Sequence, residues 1–133
     1  MHDYIGFYPR EYYALDNFSS FCVEFEGRLY KSVEEAYQAL SFKDSAPEIY
    51  DRIKNSRSAY EAKKIAHENL LFRRKNWDDE KIQIMENLLK AKLNQHEYVK
   101  KKLLETGDYL ICEDSSKDSF WGIGADRMLT FLI

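Results

Sequence analysis

A serine followed three residues later by a glutamate, Ser32 and Glu35, ahead of an apolar line with helical spacing, is the strongest local constraint in this chain. The pair is a capping box. The hydroxyl accepts from a first-turn N–H and the carboxylate takes a backbone donor on the other side of the cap, so a helix is predicted from Val33. Val33, Ala36, Tyr37 and Leu40 then share one helical face and are predicted to meet a core. Glu34, Gln38 and Ser41 form a stripe beside that face. Glu35 has a structural task in the cap, whereas Glu34 is placed to look into a cleft. The alternative for Glu34 is a solvated first-turn carboxylate favoured by the helix dipole.

The segments on either side extend this frame. Phe21, Val23 and Phe25 alternate with Cys22, Glu24 and Glu26, giving a half-buried strand that turns at Gly27 and returns through Tyr30 as a hairpin. Four further helices are predicted downstream. The first opens at Ser45 and Pro47 and turns Ile49 and Ile53 inward. A second capping box, Ser58 and Glu61, precedes Ala62, Ile65 and Ala66. Asp78 or Asp79 caps a longer helix with a stripe of Ile82, Met85, Leu88, Leu89 and Leu93. The last begins near Asn94, faces Val99, Leu103 and Leu104 inward, and ends at Gly107. Ile5 to Tyr8 and Tyr109 to Cys112 read as strands, and Asp126 to Ile133 as a terminal helix. The expected fold class is α+β: one helix-rich domain over residues 1–133, with a small antiparallel sheet built from the chain ends.

Composition excludes several functions. A net charge of −3 provides no overall basic field for non-specific duplex binding. Cys22 and Cys112 are isolated thiols behind no apolar leader, which predicts a reducing, cytoplasmic setting. No apolar run approaches the roughly 18 to 20 residues of a membrane span, so no membrane partner is expected. His2, His67 and His96 are too scattered for HExxH, and CxxC, GxxxxGK[ST] and GxGxxG are absent, so neither metal nor cofactor is called for. Ten Tyr, eight Phe and two Trp exceed what a small core needs, so either the tyrosines fill half-buried positions or some rings line a site for a planar ligand.

Several polar and aromatic islands remain: LDNF at 15–18, GRLYKSVEEAYQALSF at 27–42, RKNWDDEKIQIM from Arg74, LLKAKLNQHEYVKKKLLETGD from Leu88, the acidic turn after Ile111, and FWGIG at 120–124. In that order and separation they resemble the NADAR family, small helix-rich domains associated with NAD and ADP-ribose metabolism that include bacterial N-glycosidases. The resemblance implies hydrolysis of an N-glycosidic bond to ribose, in ADP-ribosylated guanine or a phosphoribosyl intermediate of the riboflavin pathway. Positive charge would build on the sugar as the base leaves, and a nearby carboxylate would stabilise it or activate water. Glu34 occupies the family's helix-start glutamate and is the implied catalytic residue. Asn17 and Phe18 match its NF dipeptide and would hold ribose or base. Trp77 and Trp121 match its two tryptophans, Arg74 and Lys75 would meet phosphate, and Glu113 and Asp118 match acids that would orient water or ribose hydroxyls.

The implied partner is a nucleotide-like substrate, free or as ADP-ribosylated nucleic acid. The chain departs from the family pattern at Glu35, where His is common, at Ser41, where Lys is common, and in a shortened glycine-rich stretch near Asp126, Arg127 and Leu129. These departures support a rival reading, a non-catalytic ADP-ribose or nucleotide-binding module.

Overall fold

The computed structural model describes residues 4–6, 13–105 and 110–112. The chain runs β1 (Tyr4–Gly6), β2 (Val23–Phe25), β3 (Arg28–Tyr30), α1 (Val33–Leu40), α2 (Pro47–Lys54), α3 (Ala59–His67), α4 (Trp77–Gln95), α5 (Glu97–Leu104) and β4 (Leu110–Cys112). Short 3-10 turns lie at Tyr13–Leu15 and Leu70–Phe72. This is a helix-rich α+β architecture, as the sequence predicts. Residues 17–95 form one compact unit, and the two ends of the chain, 1–16 and 96–133, form another.

In the first unit both capping boxes close. Glu35 N donates to Ser32 Oγ at 3.0 Å, and Lys31 N donates to Glu35 Oε2 at 2.7 Å. At the start of α3, Glu61 N donates to Ser58 Oγ at 3.0 Å and Arg57 N to Glu61 Oε2 at 3.3 Å. In each case the carboxylate reaches one residue past the cap, so the box also fixes the entering backbone. α1 packs against α2, α3, α4 and both hairpin strands. Surrounded in this way, it buries every residue from Val33 to Leu40, polar ones included.

The hairpin pairs Val23 with Tyr30, Glu24 with Leu29 and Phe25 with Arg28, leaving Glu26 and Gly27 as a two-residue loop. Their φ angles of 51° and 79° are those of a type I′ turn, whose twist matches the strands it joins. The outer edge of β2 is covered from an unexpected direction. The Gln95 side-chain amide accepts from Glu24 N and donates to Glu24 O, both at 2.8 Å, taking the place of a neighbouring strand. The return strand is tied to α2 by the Tyr30 and Tyr50 hydroxyls, 2.8 Å apart, and by Lys31 Nζ donating to Lys54 O at 2.6 Å.

Four helical expectations need correction. Asp78 and Asp79 lie within the first turn of α4, which starts at Trp77, so neither caps it. Ala46, not Ser45, precedes α2, because the Ser45 hydroxyl donates to Phe72 O at 2.7 Å instead of capping. In α4 the buried line is Trp77, Met85, Leu88 and Lys92, while Ile82 is 59% exposed. α5 starts after His96 with no side-chain cap bond, and Leu104 faces outward.

In the second unit, Tyr4, Ile5 and Gly6 pair with Leu110, Ile111 and Cys112. This pairing is parallel, so the antiparallel sheet is the β2–β3 hairpin, and the chain ends form a separate pair. Parallel strands need a long crossover, and most of the chain lies between these two. α5 packs on the turn at 13–15, burying Ala14 and Val99. The extension of the first strand to Tyr8, the stop at Gly107 and the helix over 126–133 fall outside the described residues. Among the described residues no helix is long and apolar enough to cross a membrane.

The tyrosine pair yields a stability prediction. Burial, followed by the Tyr50 hydroxyl, pushes the Tyr30 phenol above its ordinary value of 10.0. A raised value keeps the folded state protonated while the unfolded chain ionises. The contribution of Tyr30 is therefore complete below pH 10.0 and is lost as pH rises above it. Urea unfolding should show stability falling more steeply above that pH in the parent than in Tyr30→Phe. Tyr50→Phe, which leaves the buried Tyr30 hydroxyl without its partner, should cost about 1 to 3 kcal/mol at neutral pH.

Candidate active site

Glu34 is the second residue of α1, and its backbone is held from outside the helix. Its N–H, one of the donors a helix start leaves unpaired, donates to Asn17 O at 3.0 Å. Asn17 is thereby fixed at the start of α1. Asn17 is itself buried, and its Nδ2 lies 3.6 Å from Met85 Sδ of α4. Phe18 beside it is half-buried, with Lys63 Nζ 5.6 Å from its ring centre.

The Glu34 side chain is 6% exposed. Its Oε2 accepts from Gln38 Nε2 at 3.1 Å, one turn along the helix. Gln38 Oε1 in turn accepts from Arg73 Nη2 at 2.8 Å. Carboxylate, amide and guanidinium thus form a continuous line along one side of α1. Burial lowers the pKa of Arg73 from its ordinary value, while Tyr37, Asp78 and Glu34 act to raise it. Arginine stays protonated at neutral pH in either case. The Nε atoms of Arg73 and Arg74 are buried without a hydrogen-bond partner.

The other end of α1 is anchored as well. Ser41, fully buried, donates its hydroxyl to Gln38 O at 2.6 Å and accepts Arg74 N on its own carbonyl at 2.9 Å. That bond seats the cationic connection before α4 and directs Arg73 toward Gln38. Trp77 is 3% exposed and packs on Tyr37, their ring centres 5.0 Å apart at 52°. The Arg74 guanidinium lies over the same indole at 5.7 Å and is ion-paired with Glu80. Lys75 is exposed.

Asn17, Glu34, Arg74 and Trp77 therefore gather around α1, with Phe18 next to Asn17. Glu113, Asp118 and Trp121 lie outside the described residues. Sequence reasoning missed Arg73 and undervalued Gln38. The i, i+4 spacing of Glu34 and Gln38 was a usable signal. Arg73 stands with Arg74 and Lys75 in a run of three cations, and nothing local ties it to a residue 35 positions earlier. Glu35 is committed to the cap and to an ion pair with Lys31 Nζ at 2.6 Å. Lys43 reaches toward Glu26 at 3.8 Å. Among the described residues no cluster of His, Cys, Asp or Glu is placed to hold a metal.

A carboxylate withdrawn from water beside a bound sugar would stabilise positive charge far better than one in bulk solvent. That chemistry suits a reaction in which ribose becomes cationic.

Residues 6–130 match the model of the NADAR domain, and the chain belongs to that family. It is 34% identical over 119 residues to an N-glycosidase of Nostoc punctiforme, covering 87% of this chain and 75% of the relative. It is 31% identical over 112 residues to a riboflavin biosynthesis protein of Vibrio vulnificus, covering 84% of this chain and 30% of the longer protein. The NMR structure of the Escherichia coli protein YbiA superposes with a TM-score of 0.80 at 29% identity, covering 94% of this chain and 75% of that one.

The two adjacent glutamates should separate cleanly by experiment. Ser32→Ala and Glu35→Ala each remove an acceptor for a backbone donor at the helix start and should each cost about 1 kcal/mol in urea unfolding. Glu34→Gln, which keeps size and hydrogen-bonding capacity, should change stability by less than about 1 kcal/mol.

Proposed function

We propose that this chain is an N-glycosidase, hydrolysing the bond between ribose C1′ and a base nitrogen in an ADP-ribosyl or phosphoribosyl substrate. ADP-ribosylated guanine in nucleic acid and an aminopyrimidine intermediate of riboflavin synthesis are the two substrate types. Family membership and the names of the N-glycosidase and riboflavin biosynthesis relatives support the reaction class. The observation that carries the reading is the buried Glu34 carboxylate at the start of α1, beside Asn17.

In this reaction the C1′–N bond breaks with its electron pair going to the nitrogen, and water supplies the new C1′–O bond. One proton of that water is released as the base gains one, leaving a free base and a ribose hydroxyl. Glu34 would face the sugar as positive charge develops and direct the attacking water. Asn17 and Phe18 would hold the ribose or base. Arg74 and Lys75 would meet phosphate, with Trp77 and Trp121 as aromatic walls and Glu113 and Asp118 on ribose hydroxyls or water. The setting is a reducing cytoplasm.

One observation favours the rival binding module. Ser41, where the family often carries lysine, is buried and bonded to the Gln38 carbonyl, so no cation arises at that position. The test is to incubate the protein with ADP-ribosylated guanosine or DNA, and separately with aminopyrimidine ribose phosphates, and to seek free base and sugar phosphate by mass spectrometry. The glycosidase reading predicts release, with kcat in Glu34→Gln down about 10²-fold or more and affinity nearly unchanged. Saturable ADP-ribose binding without release would favour the module, and parental turnover in Glu34→Gln would remove Glu34 from the chemistry.

A further inference from the structure

A carboxylate that must meet a short-lived cation works best when its direction is set before the substrate arrives, because reorientation during the reaction adds to the barrier. The line from Glu34 through Gln38 to Arg73 has the features of such a device. A primary amide has one donating end and one accepting end, and both are engaged: Nε2 toward Glu34 Oε2 and Oε1 toward Arg73 Nη2. Turning the amide over would set its oxygen against the carboxylate and its NH2 against the guanidinium. The anion and cation on either side therefore hold Gln38 in one orientation. With Gln38 3% exposed, water cannot substitute for either partner at low cost.

The device also differs from an ordinary ion pair. A direct arginine fork would engage both carboxylate oxygens, whereas the amide engages Oε2 alone and keeps the guanidinium one side chain away. Arg73 is not bonded directly to any carboxylate among the described residues, and its buried Nε has no partner. A guanidinium serving only as a brace would be expected to close such bonds. Its backbone setting is also fixed, since the next residue, Arg74, is bonded through its N–H to Ser41 O.

We propose that Gln38 and Arg73 are positioning residues for Glu34, the guanidinium acting through the Gln38 amide to fix the direction of the carboxylate. This rests on the reading of Glu34 as the catalytic carboxylate. Neither residue touches substrate in this scheme, so their loss should fall on kcat and spare KM.

The experiment uses the full chain with Arg73→Met, Arg73→Lys and Gln38→Leu, with two readouts. In turnover assays, Arg73→Met and Gln38→Leu should lower kcat about tenfold to 10²-fold while KM moves less than about threefold. Arg73→Lys, which restores a cation and a donor, should recover part of the loss. The second readout needs no activity. The Gln38 side-chain amide resonances in a ¹⁵N-labelled sample, assigned with Gln38→Leu, should move toward free-glutamine positions in Arg73→Met and less in Arg73→Lys. Unmoved amide resonances in a folded Arg73→Met protein would overturn the relay even if the parent shows no turnover, a result that by itself sinks only the glycosidase reading. An unchanged kcat in Arg73→Met, or a loss confined to KM, would also overturn it, the latter making Arg73 a substrate contact.

Discussion

The structure around the candidate site depends on how the two ends of α1 are satisfied. A helix leaves unpaired N–H groups at its start and unpaired carbonyls at its end, and in a buried helix neither set can rely on water. Here Asn17 O takes the Glu34 N–H, and the Ser41 carbonyl at the other end takes the Arg74 N–H. These two bonds hold the segments that carry Asn17 and Phe18 at one end and Arg73, Arg74 and Trp77 at the other. The same requirement that makes α1 foldable in the interior thus places Asn17 at one end of the helix and the arginine pair at the other.

Burial on all sides has a second consequence. Once α2, α3, α4 and the hairpin enclose α1, its polar side chains have no solvent to turn to and must find partners or be costly. Gln38 meets the need in two directions at once, with Glu34 below and Arg73 across. Glu35 meets it through the cap and Lys31, and Ser41 through the carbonyl of Gln38. Two neighbouring glutamates therefore end in different states. One completes the helix start, while the other is bonded to an amide that a guanidinium holds from its far side.

Much of this frame was legible because its determinants are local. Ser32 with Glu35, Ser58 with Glu61, and a turn at Gly27 each announce themselves within four residues, and each formed. The inward faces of α2 and α3, Ile49 with Ile53 and Ala62 with Ile65 and Ala66, were equally plain. What stayed hidden was decided by partners far away in sequence. Lys92 is buried in the α4 face because the Ser19 hydroxyl accepts from it at 2.9 Å and the Phe21 ring lies beside it. The apolar stripe of α4 could not reveal that a lysine would take the interior while Ile82 turned outward. Arg73 was hidden for the same reason: a cation among cations looks solvated until a buried glutamine on another element accepts from it. Glu34 was picked out by its place in the helix start and by the family pattern, not by any signal of its burial.

Relatives named N-glycosidase support the reaction class, and Glu34 is the residue proposed to serve it. The most direct measurement is a crystal structure of Glu34→Gln with an ADP-ribosylated guanosine bound. The account predicts ribose C1′ within about 3 to 3.5 Å of the side chain at position 34, or one water removed from it, with the amide of Gln38 still held by Arg73. A sugar bound with C1′ out of reach of that side chain would contradict it.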